Sequence, residues 1–549
     1  MNPSNPMKKN IKKIVYVMFE NRSFDTMLGW LYNGDSQPNV NNIPPLPEPK
    51  PNQKPIPTFQ GLTTELQQEY AQPIKYELEF WKDGKKPIVR GVQGNWFPEN
   101  TPLVDPEEKF KNISYQIYQN CDATGSATML GFLQNYYDHV GGDIGVEHEI
   151  LDTYEPSELP ILNTLASSYG VSDEWFCSIP SQTSINRSFS LCGNSVGFQT
   201  KADKTANPPI KTAMVNNHFW NDEFLPAEFS EKTIWEVLCD NGYGSAADWQ
   251  IYYSAPYLHG HLGYKQCYSY YLFESLQKVL DQPSDSTPSK TRMDTNYHTI
   301  DQFYKDAASG NLPKFSYIEP KFTTDVIGDV GLNGNDYHPP GDVNKGECFL
   351  KELYQAVANS PDWEETLFIV AWDEHGGTLD HVAPPTTAIN PGITENHECG
   401  FKFDRFGVRV PMLFISPWVT QNTVIRSDDD TIPFDHTSWL ATLLDWFADD
   451  LDPSMLGART KAAPKFDKVI SDTKRSSNDV LKDIQCGQLR RGSKAEETPL
   501  NIRKAAEVAK VIASHEPGVD ALKLLSDSLA DSKTDKQLAD FYQNRKNSR

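Results

Sequence analysis

The chain has 549 residues and sets 51 basic against 74 acidic side chains, a formal charge of −23. With 38% hydrophobic and 11% aromatic residues it can bury a sizeable core, which excludes wholesale disorder. No apolar stretch reaches the ~18–20 residues that a bilayer span needs, and so acidic a chain is repelled by the backbone of DNA or RNA.

Near the start, Lys8, Lys9, Lys12 and Lys13 precede a short apolar run, Ile14–Phe19, which Glu20, Arg22 and Asp25 cut off. A secretory leader needs ~7–15 apolar residues and a small-residue cleavage site. The expected location is therefore cytoplasmic, with leaderless export to an extracellular or host target left open. The run itself lacks alternation and is rich in β-branched and aromatic residues, which predicts a strand covered on both faces. Residues 43–57 carry seven prolines and read as an extended surface loop. The aromatics Trp220, Phe224 and Trp249 to Tyr253 read as core packing rather than ligand contacts.

Phe315–Ile318, Thr366–Trp372 and Val408–Ile415 repeat the strand pattern, with Pro411 a weak point in the last. Between them, Phe349, Leu350, Leu353 and Val357 recur at helical spacing within Cys348–Ala358. The alternation predicts an α/β fold, a mostly parallel central sheet flanked by helices, with long insertions. Residues 457–500 are polar and read as a linker or surface wrap. Beyond them, Ile502, Ala505, Val508, Ala509 and Ile512 form one apolar face of a short helix. This divides the chain into a main domain over 11–456 and a polar linker with a C-terminal helical extension over 457–549. The eight cysteines form no C-x-x-C pair and read as small buried thiols.

Open parallel sheets carry reactive groups just beyond the carboxyl ends of their strands. Here the first run leads into Glu20-Asn21-Arg22-Ser23-Phe24-Asp25. The second leads through a loop to Asp336-Tyr337-His338, the third into Asp373-Glu374-His375-Gly376-Gly377 and then Asp380-His381. After the fourth comes Asp435-His436-Thr437-Ser438. Carboxylates with an amide suit a hard or borderline divalent cation. A pair such as Asp373-Glu374 directly after a buried strand is costly unless its charge is neutralised. Hydroxyls cluster between Ser178 and Phe189, where Thr183 or Ser184 at a helix N-cap would sit beside free backbone N–H groups. Arg187, one turn on, either meets phosphate oxygens or anchors the loop.

The blocks Glu20 to Asp25, Trp175-Phe176 to Phe189 with Thr183-x-x-Asn186-Arg187, and Tyr317-Ile318-Glu319-Pro320 resemble one family. So do His338-Pro339-Pro340-Gly341-Asp342, Asp373 to Gly377 with Asp380-His381-Val382, and Val408 to Pro411 with Ser416-Pro417. It is the phosphoesterase family of bacterial non-specific phospholipases C and related acid phosphatases, in the alkaline phosphatase superfamily. The resemblance runs from about residue 11 to residue 445.

It implies an alkaline-phosphatase-like fold in which Glu20, Asn21, Thr183, Asp373 and Glu374 hold one or more divalent metal ions, zinc or calcium foremost. Thr183 would be the nucleophile, with Arg187, His338 and His381 on the substrate. The histidines His338, His381 and His436 would serve catalysis. The implied substrate is a phospholipid such as phosphatidylcholine, cleaved to diacylglycerol and a phospho-head-group through a phosphothreonine, with transient contact at a membrane surface. The alternatives are an acid phosphatase acting on phosphomonoesters and a non-catalytic binding protein. A sulfatase is disfavoured, since Cys177-Ser178-Ile179-Pro180 lacks an arginine at the required spacing. One departure stands out: after Asp105-Pro106 many relatives place a histidine, and this chain has Glu107-Glu108. His259 or His261 is a candidate substitute for that imidazole.

Overall fold

The computed structural model describes residues 5–32, 59–63, 88–92, 95, 98–140, 147–217, 228–254, 267–322, 334–395, 397–429, 431–475 and 479–487. The proline-rich 43–57 segment, Trp220, Phe224, His259, His261 and the 502–512 helix lie outside those residues. No helix among the described residues is long and apolar enough to cross a membrane.

Eight strands form the central sheet: β1 Lys13–Phe19, β2 Gly170–Ser172, β3 Trp249–Tyr253, β4 Tyr297–Thr299, β5 Phe315–Glu319, β6 Thr366–Trp372, β7 Met412–Ile415 and β8 Thr423–Val424. Their order is β8-β2-β7-β6-β1-β5-β3-β4. From β6 to β4 all neighbours run parallel, while β7 is antiparallel to both β6 and β2. The sheet is thus mostly parallel, as the unalternated apolar runs predict. β6 is buried at every position, and Trp249, Ile251 and Tyr252 of β3 are core residues. The run Val408–Ile415 becomes a ladder strand only from Met412. Pro411 has no N–H to give, and Val408 to Val410 bond instead to the segment around Trp175 and Cys177.

Helices cover both faces. Alternation along β1 turns Tyr16 to one face, where its ring stacks on Trp439 at 4.2 Å from α5, His436–Phe447. Phe19 turns to the other, edge-on to Phe349 of α4, Val343–Ala358. Against α4 lies α2, Pro160–Ser168, whose first N–H groups at Ile161 and Leu162 are taken by the buried Glu347 carboxylate at 2.7 and 3.1 Å. α1, Phe24–Leu28, follows β1, and α3, Thr183–Cys192, packs beside α5.

One sequence expectation changes. Of the cysteines, Cys121–Cys399 and Cys348–Cys486 are disulfides with Cα atoms 5.7 and 5.1 Å apart, while Cys177, Cys192, Cys239 and Cys267 are free thiols. Partners 278 and 138 residues apart leave no spacing signal to read. The described part of 457–500 takes the form of a surface wrap. α6, Gly457–Ala462, buries Arg459 and Thr460, and Ile470 bridges to Val419.

Candidate active site

The register of two parallel strands builds the site. Phe19 pairs with Trp372 at the ends of β1 and β6, so the residues that follow, Glu20-Asn21 and Asp373-Glu374, emerge side by side. Asp373 N donates to the Phe19 carbonyl at 3.1 Å, and Asn21 N donates to Asp373 Oδ1 at 3.1 Å. Asn21 adopts φ +54°, a left-handed conformation that asparagine tolerates. Gly376 is required opposite it, because a Cβ there would lie 2.2 Å from the Asn21 carbonyl oxygen.

Thr183 arrives from the third direction. Gln182 is the N-cap of α3, which makes Thr183 the first helical residue rather than the cap. Asn186 shapes the preceding loop, accepting from Ile179 N at 3.2 Å and donating to the Ser181 carbonyl at 2.7 Å. Thr183 Oγ1 then points at Glu20 Oε2 and Asn21 Oδ1, 3.4 and 3.3 Å away. Ser184, the neighbouring hydroxyl, is fully buried. The sequence-predicted ligands Glu20 and Asn21 therefore lie beside Thr183, with Asp373 joined to them through Asn21 N and Arg187. Glu374 joins them beside Asp373, with Oε2 accepting from Gly376 N at 2.7 Å.

Arg187 does not face outward to a phosphate. It is fully buried, with Nη2 2.6 Å and Nε 2.8 Å from Glu20 Oε1, Nε 3.5 Å from Asp373 Oδ2, and Nη2 donating to the Met18 carbonyl. This is the anchoring alternative, and the reason is charge: two buried carboxylates draw the guanidinium inward. His436 is likewise a strut. Its Nε2 donates to the Asp373 carbonyl at 2.6 Å, and Trp175 Nε1 donates to its Nδ1 at 3.3 Å. Burial lowers its pKa, so both ring nitrogens serve the neutral imidazole in place. Below it, Asp435 ties Ser178 at 3.0 Å and Arg459 at 2.9 Å, which brings the α6 wrap against the Thr183 loop.

His338 and His381 stand in separate surroundings. His338, 5% exposed, donates from Nδ1 to the Pro339 carbonyl at 2.5 Å and lies near Asp105 and Glu108. His381 Nδ1 is 2.6 Å from Asp25 Oδ2. Burial opposes its charge, but the charge and hydrogen bond of Asp25 outweigh that and raise its pKa. Arg409, fully buried, completes this cluster at 2.9 Å from Asp25 and 3.0 Å from Asp380.

Sequence reasoning missed Glu108. It sits on the loop before the helix Phe110–Tyr118, away from any strand end, yet its Oε1 accepts from Asn21 Nδ2 at 2.5 Å. That bond fixes the Asn21 amide with Oδ1 toward Thr183. Glu107 is partly exposed and instead accepts from Asn112 Nδ2 at 2.9 Å.

The pocket is strongly acidic. Burial first, then the neighbouring Asp373, pushes the pKa of Glu20 and of Glu374 well up, and burial with Glu374 does the same to Glu108. Glu374 Oε1 is buried and meets no hydrogen-bond donor among the described residues, and Asp373 Oδ2 has only the 3.5 Å ion pair with Arg187. A single guanidinium touches this group of carboxylates. Carboxylate oxygens this poorly paired, beside an amide and a hydroxyl, fit a hard divalent cation.

Residues 11–448 match the Phosphoesterase family. Non-specific phospholipase C6 of Arabidopsis thaliana is 29% identical over 476 residues, spanning 85% of this chain and 74% of the relative. Non-specific phospholipase C5 of the same plant is 30% identical over 449 residues, 79% of this chain and 69% of its own. Non-hemolytic phospholipase C of Burkholderia pseudomallei is 27% identical over 306 residues, 52% and 39% of the two chains. A crystal structure of a protein in the alkaline phosphatase superfamily from Vibrio parahaemolyticus overlaps 74% of this chain and 80% of that one at 11% identity, with a TM-score of 0.28; that likeness is slight. The family match takes in both strand ends, the Thr183 helix and the histidines around them, and this chain belongs to the Phosphoesterase family and is a phosphoric ester hydrolase.

Proposed function

We propose that the chain is a metal-dependent phospholipase C that cleaves phosphatidylcholine-like lipids to diacylglycerol and a phospho-head-group, with Thr183 as nucleophile. The observation that carries this reading is the Thr183 hydroxyl aimed into a buried, under-neutralised carboxylate pocket at the start of a helix. The plant and bacterial relatives named phospholipase C support the substrate class.

Glu20, Asn21, Asp373 and Glu374 would hold the cation, which when bound supplies Lewis acidity that favours an ionised hydroxyl and offsets charge on a phosphoryl group. Thr183 Oγ1 attacks phosphorus and the bond to the leaving diacylglycerol oxygen breaks, forming a threonine phosphoester that still carries the head-group. The positive end of the α3 dipole faces the same anionic group, while the Ser184 N–H is already held by Asn217 Oδ1 at 3.0 Å. Water then attacks the same phosphorus from the opposite side, and the phospho-head-group departs with Thr183 restored. His381, its proton held by Asp25, and His338 are assigned the proton transfers to the leaving oxygen and from water. Arg187, His436 and Glu108 act at one remove by fixing Glu20, Asp373 and Asn21. The two disulfides favour export over a cytoplasmic location, because such bonds persist in oxidising compartments.

The test is a panel of phosphatidylcholine vesicles, a chromogenic phosphodiester and a phosphomonoester, each with and without a chelator. Chelator-sensitive release of diacylglycerol, faster than monoester turnover, is expected. Monoester hydrolysis with no attack on the lipid would transfer the assignment to an acid phosphatase.

A further inference from the structure

We propose that Asn217 is a positioning residue for the nucleophile: it clamps the chain on both sides of Thr183 and so fixes where the hydroxyl stands. The inference deepens the reading of Thr183 given above and rests on it.

The start of α3 lacks a cap of its own. Gln182 occupies the N-cap position and makes no side-chain cap bond, since its side chain is longer than the Ser, Thr, Asp or Asn that serve there. The Ser184 N–H, one of those that a first helical turn leaves unpaired, goes instead to Asn217 Oδ1 at 3.0 Å, 33 residues away. Asn217 N in turn donates to Gln182 Oε1 at 3.1 Å. One residue thus grips both neighbours of Thr183 through a reciprocal pair of bonds. Ser181 Oγ donates to the Val215 carbonyl, so residues 215–217 hold Ser181, Gln182 and Ser184 together.

The pocket does not fix the hydroxyl by itself. Thr183 Oγ1 stands 3.4 Å from Glu20 Oε2 and 3.3 Å from Asn21 Oδ1. A well-formed O–H···O bond is about 2.7–2.8 Å long. The side chain therefore follows its backbone, and the clamp sets that backbone. The clamp is itself anchored. Asn216 Oδ1 accepts from Phe110 N at 2.8 Å, and Asn216 Nδ2 donates to Glu398 Oε2 at 2.9 Å. Lys111 pairs with the other Glu398 oxygen at 2.7 Å, and the Cys121–Cys399 disulfide ties the two anchoring loops to each other. Two adjacent asparagines divide the work: Asn216 fixes the segment to the scaffold, and Asn217 fixes Thr183 to the segment.

A cap that served stability alone would lower the melting temperature and leave the chemical step of the folded enzyme unchanged. A clamp on the nucleophile slows that step. The experiment follows formation of the Thr183 adduct by rapid acid quench of full-length enzyme turning over a chromogenic phosphodiester. In Asn217→Ala the rate of adduct formation and kcat should fall about 10- to 100-fold with KM held, the cost of a misplaced nucleophile. Asn217→Asp keeps an acceptor for Ser184 N and should stay within about threefold of wild type. Asn216→Ala cuts the anchors at Phe110 and Glu398; it should slow the same step and decides the matter should Asn217→Ala fail to fold. A wild-type rate of adduct formation in the folded alanine variants, or a loss in Asn217→Asp equal to that in Asn217→Ala, overturns the clamp and leaves Thr183 as nucleophile. Absence of the adduct from wild type overturns both.

Discussion

Two acidic clusters lie a few residues apart on the same chain segments, and they differ in how their charge is met. Asp25 and Asp380 are as deeply buried as Glu20 and Asp373, yet Arg409 and His381 contact them at 2.6 to 3.0 Å, two cations for two carboxylates. By spacing alone the Asp25, Asp380 and His381 group could hold a metal. The guanidinium already occupies that role. Around Glu20, Asp373, Glu374 and Glu108 the ratio is reversed: among the described residues Arg187 is the cation in contact, the imidazole of His375 beside Glu374 has its pKa pushed down by burial, and Glu374 Oε1 has no donor. A closed ion cluster braces the fold, whereas an open one is poised for a cation and an anionic substrate.

The sharpest way to test that contrast is to remove the hydroxyl from the open cluster. Thr183→Val should cut turnover by on the order of 10^4-fold or more, with the melting temperature close to that of wild type. The closed cluster should answer in stability instead. Arg409→Met strands two buried carboxylates and should cost about 3–5 kcal/mol in denaturant unfolding. Asp25→Asn should keep the full metal content of wild type, and a loss of bound ion there would break the comparison.

Smaller effects follow at the supports. His436→Phe removes the donor to the Asp373 carbonyl and should weaken metal retention about 10- to 100-fold, read by competition with a chelator. For His381, the folded pKa lies above the usual histidine value because of Asp25. A raised folded pKa means that its contribution to stability is fully present below about pH 6.5, the unfolded value, and is lost as pH rises through the folded one. Titration by NMR should show that elevation in wild type and its disappearance in Asp25→Asn.

The parts of this structure that were legible in the sequence share a cause. β1, β5 and β6 are buried on both faces, so their runs are apolar almost throughout, Ser316 of β5 being the one polar break, and their ends are marked by Glu20, Glu319-Pro320 and Asp373. That Glu20 and Asp373 meet follows from parallel strands in adjacent register. The illegible parts depend on packing across the chain. Arg187 turns inward because of carboxylates more than 160 residues away. Glu108 reaches Asn21 across 87 residues from a loop with no pattern of its own, and the disulfides close still longer separations. His436 looks like a catalytic imidazole by residue type, and only the Trp175 and Asp373 bonds disclose a strut.

The most direct measurement is to quench the enzyme in acid during turnover of a phosphodiester and map phosphate on the peptide spanning Ser178 to Arg187. The account predicts Thr183 esterified to the phosphate of the retained half of the diester in wild type and no such adduct in Thr183→Val. Turnover without any phosphorylated peptide, or phosphate on another residue, would contradict it.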